Sequence, residues 1–110
     1  MDWKVLKEDS DVQEIRQNSA SRPQIIFKHS TRCSISSVVK SRLDKAAQPG
    51  NADFYYLDLI RFRSVSARVS EVFNVAHESP QVLVIMNGEC IYEESHMSIT
   101  MKDILEHTDH

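Results

Sequence analysis

The chain has 110 residues, 41% of them apolar and 26% charged, with a formal net charge of −3. That is the composition of a water-soluble globular chain. It is long enough to close one core without staples, so residues 1–110 are read as a single domain. The mild acidity disfavours a general nucleic-acid role, and no apolar run approaches the ~20 residues of a membrane span.

Trp3, Val5 and Leu6 form a short apolar run, either an extra edge strand or a stub packed on the core. Ser10 and Gln13 have capping-box spacing, and Val12 and Ile15 give a one-sided face, so a short first helix is predicted here. Asn18 to Pro23 is a polar turn. Gln24 to Lys28, with the β-branched pair Ile25 and Ile26, is the first well-marked strand. A hydroxyl-rich turn follows, Ser30-Thr31-Arg32-Cys33-Ser34. Apolar residues then recur at Ile35, Val38, Val39, Leu43, Ala46 and Ala47, the spacing of one helix face from about Ser34 to Gln48.

Pro49-Gly50-Asn51 stops that helix. Phe54 to Leu59 is a near-continuous apolar run, suited to a buried parallel strand. Ser64 can cap a helix with Val65, Val69, Val72, Phe73 and Ala76 inward, broken by His77-Glu78-Ser79-Pro80. Gln81 to Met86 is a third strand. Asn87-Gly88 is a two-residue hairpin signal, and Cys90 to Glu93 is the return. Ser98 or Thr100 caps a last helix with Met101, Ile104 and Leu105 inward, and the tail from His107 to His110 is expected to fray.

The predicted order is βαβ then ββα, with a cysteine at the first strand–helix junction. That is a thioredoxin-like α/β plan: a mixed four-stranded sheet flanked by helices, with an extra N-terminal helix. Cys33 would open its helix, where unpaired N–H groups and the dipole favour a thiolate, and Arg32 adds positive charge beside it. Its surroundings, Arg32, Ser34 and Ser36, are polar, unlike those of a merely buried cysteine. The motif is Cys-x-x-Ser, so the resolving cysteine is missing and an outside thiol is needed to finish a cycle.

Pro80 opens a strand after a helix. It can be a simple helix stop, but in the thioredoxin plan a cis proline here faces the cysteine. The Ser79 backbone would then be free to pair with an extended substrate. The hairpin returns Ser95 and His96 to the cysteine end, next to the last helix, where a carboxylate could be held; a plain polar loop is the competing reading. His29 and His77 are read as structural histidines. No Cys and His stand at metal-ligand spacing, so no metal is expected. Cys90, beside the hairpin turn, is a strand length from Cys33 and is read as a core or sheet-face cysteine. The start, Met1-Asp2-Trp3-Lys4, has no signal-peptide pattern, and two cysteines without one suggest a reducing compartment.

His29 to Ser36, His77-Glu78-Ser79-Pro80-Gln81, and Ser95-His96 through Ile99 together resemble the YtxJ-type monothiol bacilliredoxins, over nearly the whole chain. The resemblance implies a bacterial, cytoplasmic protein of redox homeostasis. It would strip a low-molecular-weight thiol such as bacillithiol, a cysteinyl-glucosamine-malate, from S-thiolated client proteins. Cys33 matches the family nucleophile, Ser36 the serine three positions on, and Pro80 the proline before the third strand. Thr31, Ser79, Pro80, Ser95 and His96 would contact substrate, with Arg32, Ser34 and Ser36 supporting the thiolate and Ser36 bonding the sulfur. Many members have Thr-Cys-Pro-Ile-Ser; here Arg32 and Ser34 replace the threonine and proline, adding a charge and a helix-start N–H.

No tightly bound cofactor, no nucleic acid and no membrane partner is expected, and the chain would be a monomer or weak dimer. A non-catalytic interaction or redox-sensor module on the same fold is the alternative, and a one-cysteine cluster carrier of the glutaredoxin kind is a third.

Overall fold

In a computed structural model, residues 1–108 are described. The elements are β1 (Lys4–Val5), α1 (Asp9–Asn18), β2 (Gln24–His29), α2 (Ser34–Lys45), β3 (Asp53–Asp58), α3 (Arg63–Phe73), β4 (Gln81–Met86), β5 (Glu89–Ser95), a 3-10 turn (His96–Ser98) and α4 (Met101–Glu106). They build one five-stranded sheet in the order β1-β3-β2-β4-β5. β2 is parallel to β3 and antiparallel to β4, and β4 forms the hairpin with β5. The N-terminal run is therefore an edge strand, Lys4 and Val5 pairing in parallel with Tyr55 and Tyr56.

β2 lies at the centre, and all six of its residues are buried. Successive side chains of a strand point to opposite faces, so β2 feeds two cores. Ile25 and Phe27 join Val39 and Leu43 of α2 and Ile104 of α4. Ile26 joins Val12 and Ile15 of α1 and Val65, Val69 and Phe73 of α3. Trp3 closes the first core, its ring stacked on Phe27 at 5.7 Å and its indole N–H donating to Asp44 at 2.6 Å.

Several boundaries differ from those the sequence predicts. α1 starts at Asp9 with Glu8 as N-cap rather than Ser10, and the Glu8 N–H donates to the Asp11 carboxylate at 3.1 Å. Two acids in the first turn suit the positive end of the helix dipole. α3 is capped at Phe62 rather than Ser64, and it ends before Ala76 because Asn74 turns left-handed at φ 54°, a conformation asparagine tolerates. α2 ends at Lys45 rather than near Gln48, Ala46 having already turned extended. The returning strand reaches from Glu89 to Ser95, longer than the predicted span.

Of the two candidate caps for α4, Thr100 is the one used, its hydroxyl accepting from the Asp103 N–H at 3.2 Å. The expected fraying of the tail does not apply at His107 and Thr108. The His107 ring stacks on Tyr92 at 4.0 Å and Thr108 is buried; residues 109 and 110 lie outside the described residues.

Candidate active site

The chain leaves β2 at His29 and turns tightly, the Cys33 N–H donating to the Ser30 carbonyl at 3.2 Å. Cys33 is the N-cap of α2, extended at φ −110° and ψ 121°, and its carbonyl accepts the first helical bond from Ser37. The first turn of α2 contains no acidic residue, so nothing there offsets the positive end of the dipole. Cys33 is half-buried, while Thr31, Arg32 and Ser34 around it are exposed. Arg32 stands in none of the ion pairs formed among the described residues. A thiolate at this point thus has a cation beside it, helix N–H groups behind it and an open approach.

Ser36 does something other than the role expected of it. It is fully buried, and its hydroxyl accepts the Ser30 N–H at 3.0 Å and meets His29 Nδ1 at 2.6 Å. Those partners, and not the Cys33 sulfur, are the ones it has among the described residues. At helix position N3 its side chain turns down onto the strand end, and it ties the cysteine turn to β2. His29 is buried beneath α2, stacked on Phe27 and tilted against Tyr56. Burial, with the Lys40 charge nearby, holds its imidazole below the ordinary histidine range, so it is neutral at neutral pH.

Ile35 and Val38, expected inward, are 43% and 50% exposed. The inward stripe of α2 is Ser36, Val39 and Leu43, and a rotation of about 100° per residue carries the neighbouring positions off it. The 3-10 turn lies beside α2, with Arg42 Nη1 donating to the carbonyls of Met97 and Ile99 at 2.9 and 2.8 Å. Met97, on that turn, is itself 47% exposed.

The β2–β4 ladder ends at the Lys28–Gln81 pair; continued one step it sets Pro80 across from His29, and two steps Ser79 across from Ser30. The Ser79–Pro80 peptide is cis. The Ser79 hydroxyl is buried and has no hydrogen-bond partner among the described residues. Gln81 pairs with Ser95, and the His96 N–H donates to the Pro80 carbonyl at 2.9 Å. The hairpin therefore brings Ser95 and His96 beside Gln81 and Pro80.

The last helix does not start there. The 3-10 turn intervenes, and the N-terminus of α4 is taken by Thr100 with Asp103 in its first turn. His96 Nε2 faces the Glu78 carboxylate at 3.2 Å. The Ser95 and His96 N–H groups already donate to the Glu94 carboxylate and the Pro80 carbonyl, so an anion held at this corner would meet the His96 ring rather than a helix end.

Cys90 lies at the other end of the sheet. It pairs with Ile85, four residues along β4 from Gln81, a separation of about 13 Å. Disulfide Cα atoms must approach within ~7 Å, so Cys90 cannot close on Cys33. Both cysteines are free. Sequence reading missed Lys28, which is buried on the α3 side of β2 among polar groups of α3 and His77. The one signal for it was a lysine inside an otherwise buried strand.

A mixed sheet with a single cysteine opening the helix after its central strand, and a cis proline just ahead of the antiparallel strand beside it, defines a thioredoxin-fold protein of the monothiol type. The chain belongs to the monothiol bacilliredoxin family: the family model described as Monothiol bacilliredoxin BrxC matches residues 4–104. Among solved structures it is similar to a thioredoxin-fold protein provisionally described as an oxidoreductase. The two are 25% identical, with a TM-score of 0.81, over 93% of this chain and 89% of that one. It is also similar in fold to the Malassezia sympodialis thioredoxin (14% identity, TM-score 0.76, 99% and 90% of the chains). The Fasciola hepatica thioredoxin matches at 14% identity and TM-score 0.75, over 96% and 95% of the chains. Family and fold together support a thiol oxidoreductase. No described helix is long and apolar enough to cross a membrane.

Proposed function

We propose that the protein removes a low-molecular-weight thiol, bacillithiol or one like it, from mixed disulfides on client proteins in the cytoplasm of a bacterium. The Cys33 thiolate attacks the sulfur of the small thiol within the mixed disulfide. The new S–S bond forms as the old one breaks, and the client leaves as a thiolate with the electron pair. A second molecule of the small thiol, as its thiolate, then attacks the adduct. It releases Cys33 and leaves as the symmetric disulfide, so the client thiol is reduced and the one free small thiol is oxidised, the other having been at the disulfide level throughout.

The observation that carries this reading is the place of Cys33: N-cap of α2, beside Arg32, with no second thiol in reach, in a chain of the monothiol bacilliredoxin family. Arg32 and the N–H groups at Ser34 and beyond stabilise the thiolate. Ser36 and His29 hold the turn that presents it. The Ser79 backbone beside Pro80 and the exposed Thr31 line the approach of the substrate. Ser95 and His96 receive a carboxylate of the small thiol, His96 exchanging its Glu78 partner for it. Ile35 and Val38, three residues apart near the start of α2, leave exposed apolar side chains on which a client can rest.

Intact mass after mixing with bacillithiol disulfide and, separately, glutathione disulfide tests the proposal. One adduct on Cys33 from the first, and slow or no reaction with the second, is the expected result. Equal adducts from both would remove the bacillithiol preference. No adduct from either at neutral pH would overturn the catalytic role and leave an inert module.

A further inference from the structure

Behind the sheet from Cys33, an open cavity of about 470 Å³ is lined by Leu59, Arg63, Ser66, Ala67, Ser70 and His77. Its lining includes two basic side chains, two hydroxyls and no carboxylate. Lys28 lies against it, fully buried, its Nζ donating to the Ser66 carbonyl at 3.2 Å, to Ser70 Oγ at 2.9 Å and to His77 Nδ1 at 3.3 Å. A buried ammonium normally keeps a carboxylate for company, because desolvating an unpaired charge is costly. None lies within ion-pair distance of Lys28 among the described residues. Arg63, across the cavity, is likewise in none of those pairs.

The protons can be placed. An ammonium only donates, so His77 Nδ1 must accept from Lys28. The neutral ring then carries its proton on Nε2, as a second donor. The cavity therefore presents the Arg63 guanidinium and the His77 ring over the buried charge of Lys28, while the hydroxyls in its wall are engaged within the protein, Ser70 Oγ donating to the Ser66 carbonyl at 3.4 Å and Ser66 Oγ meeting His77 Nδ1 at 3.4 Å. Leu59 and Ala67 supply apolar wall.

We propose that this cavity binds a small organic oxyanion, a carboxylate or phosphate on a short apolar body, which supplies the counter-charge that Lys28 and Arg63 lack. The site is separate from Cys33: that residue is not in its lining, and α2 and α3 cover opposite faces of the sheet. Burial pushes the Lys28 amine down to about 8. The groups around it are His77, also held below the ordinary histidine range by burial, Arg63, and the uncharged Ser66 and Ser70; Glu78 acts on His77 from further along the loop. An anion favours the charged amine, so binding draws a proton onto Lys28 and is tighter below pH 8 than above it.

The test is an amide NMR titration of the full chain carrying Cys33→Ser, which removes the thiol from the result. The ligands are sodium butyrate, sodium phosphate and sodium chloride, at matched ionic strength. Saturable shifts in residues 63–70 and 77 at pH 7 with butyrate, phosphate or both, and none with chloride, are expected. Which of the two saturates at lower concentration distinguishes a carboxylate ligand from a phosphate. The affinity should fall about tenfold at pH 9, in line with the loss of the charged amine, and by a similar factor in the exposed variant Arg63→Gln, which leaves the core untouched. Lys28→Met, if it folds, should abolish the shifts. Linear shifts, equal shifts with chloride, or full affinity in Arg63→Gln would overturn the proposal.

Discussion

The two cysteines of this chain are both free and both half-buried, yet their surroundings oppose each other. Cys33 caps a helix with no acid in its first turn and has Arg32 as its neighbour. Cys90 is in a strand, packed against the core of the α1 and α3 side, with its thiol donating to the Tyr92 carbonyl at 3.2 Å. Burial, and Glu93 beside it, push the Cys90 thiol above its ordinary range. Exposure alone would not tell these residues apart. What separates them is whether the backbone around the sulfur offers donors and positive charge or an apolar wall and a carboxylate.

The widest way to test that contrast is to remove each sulfur in turn. Cys33→Ser should lower thiol transfer by about a thousandfold or more, the scale of losing a nucleophile, with the fold intact by circular dichroism. Cys90→Ser should leave turnover unchanged. Lost activity in Cys90→Ser would show that the far cysteine takes part and would end the monothiol mechanism.

Next comes the scaffold under Cys33. Ser36→Ala leaves the His29 Nδ1 and the Ser30 N–H without their partner in a buried place, at a cost of about 1–3 kcal/mol. Urea unfolding measures this, and an unchanged midpoint would show that the Ser36 hydroxyl does not hold the turn. The local charge should matter less. Arg32→Ala is expected to slow adduct formation about two- to fivefold, the reach of a screened charge at a helix end. The difference should shrink in high salt; a salt-independent loss would point to contact with substrate instead.

The smallest effect concerns pH. His29 is depressed in the folded state, so the unfolded chain binds the proton more readily. Stability from that histidine is present above its unfolded value of about 6.5 and is lost as pH falls through the folded one. Urea midpoints at pH 7.5 and pH 5 should show the decline, and His29→Phe should flatten it. An equal decline in His29→Phe would assign it to other groups, His77 first, since burial depresses it too.

Much of the fold was legible because its signals are local. A strand ending in hydroxyls and a cysteine, a proline before a Val- and Ile-rich run, and an Asn-Gly turn each report on a few adjacent residues. Caps were less legible: Ser10 and Ser64 looked like helix starts, but Glu8 and Phe62 hold those places. Phe62 makes no side-chain capping bond, so the point where the chain turns into the helix, and not the presence of a capping side chain, sets that boundary.

The sequence by itself determined the order of elements, the single thiol at a strand–helix junction and the family. Tertiary structure decided which partner each side chain meets. Lys28 and His29 are consecutive, and pleating sends them to opposite faces. One meets Ser66, Ser70 and His77; the other meets Ser36 under α2. Ile35 and Val38 fit a helical stripe by spacing but stay in solvent, while Ser36 turns inward. Periodicity fixes which residues share a face. Only the packing of distant segments fixes what that face is pressed against, and so whether a hydroxyl serves the sulfur or the strand beneath it.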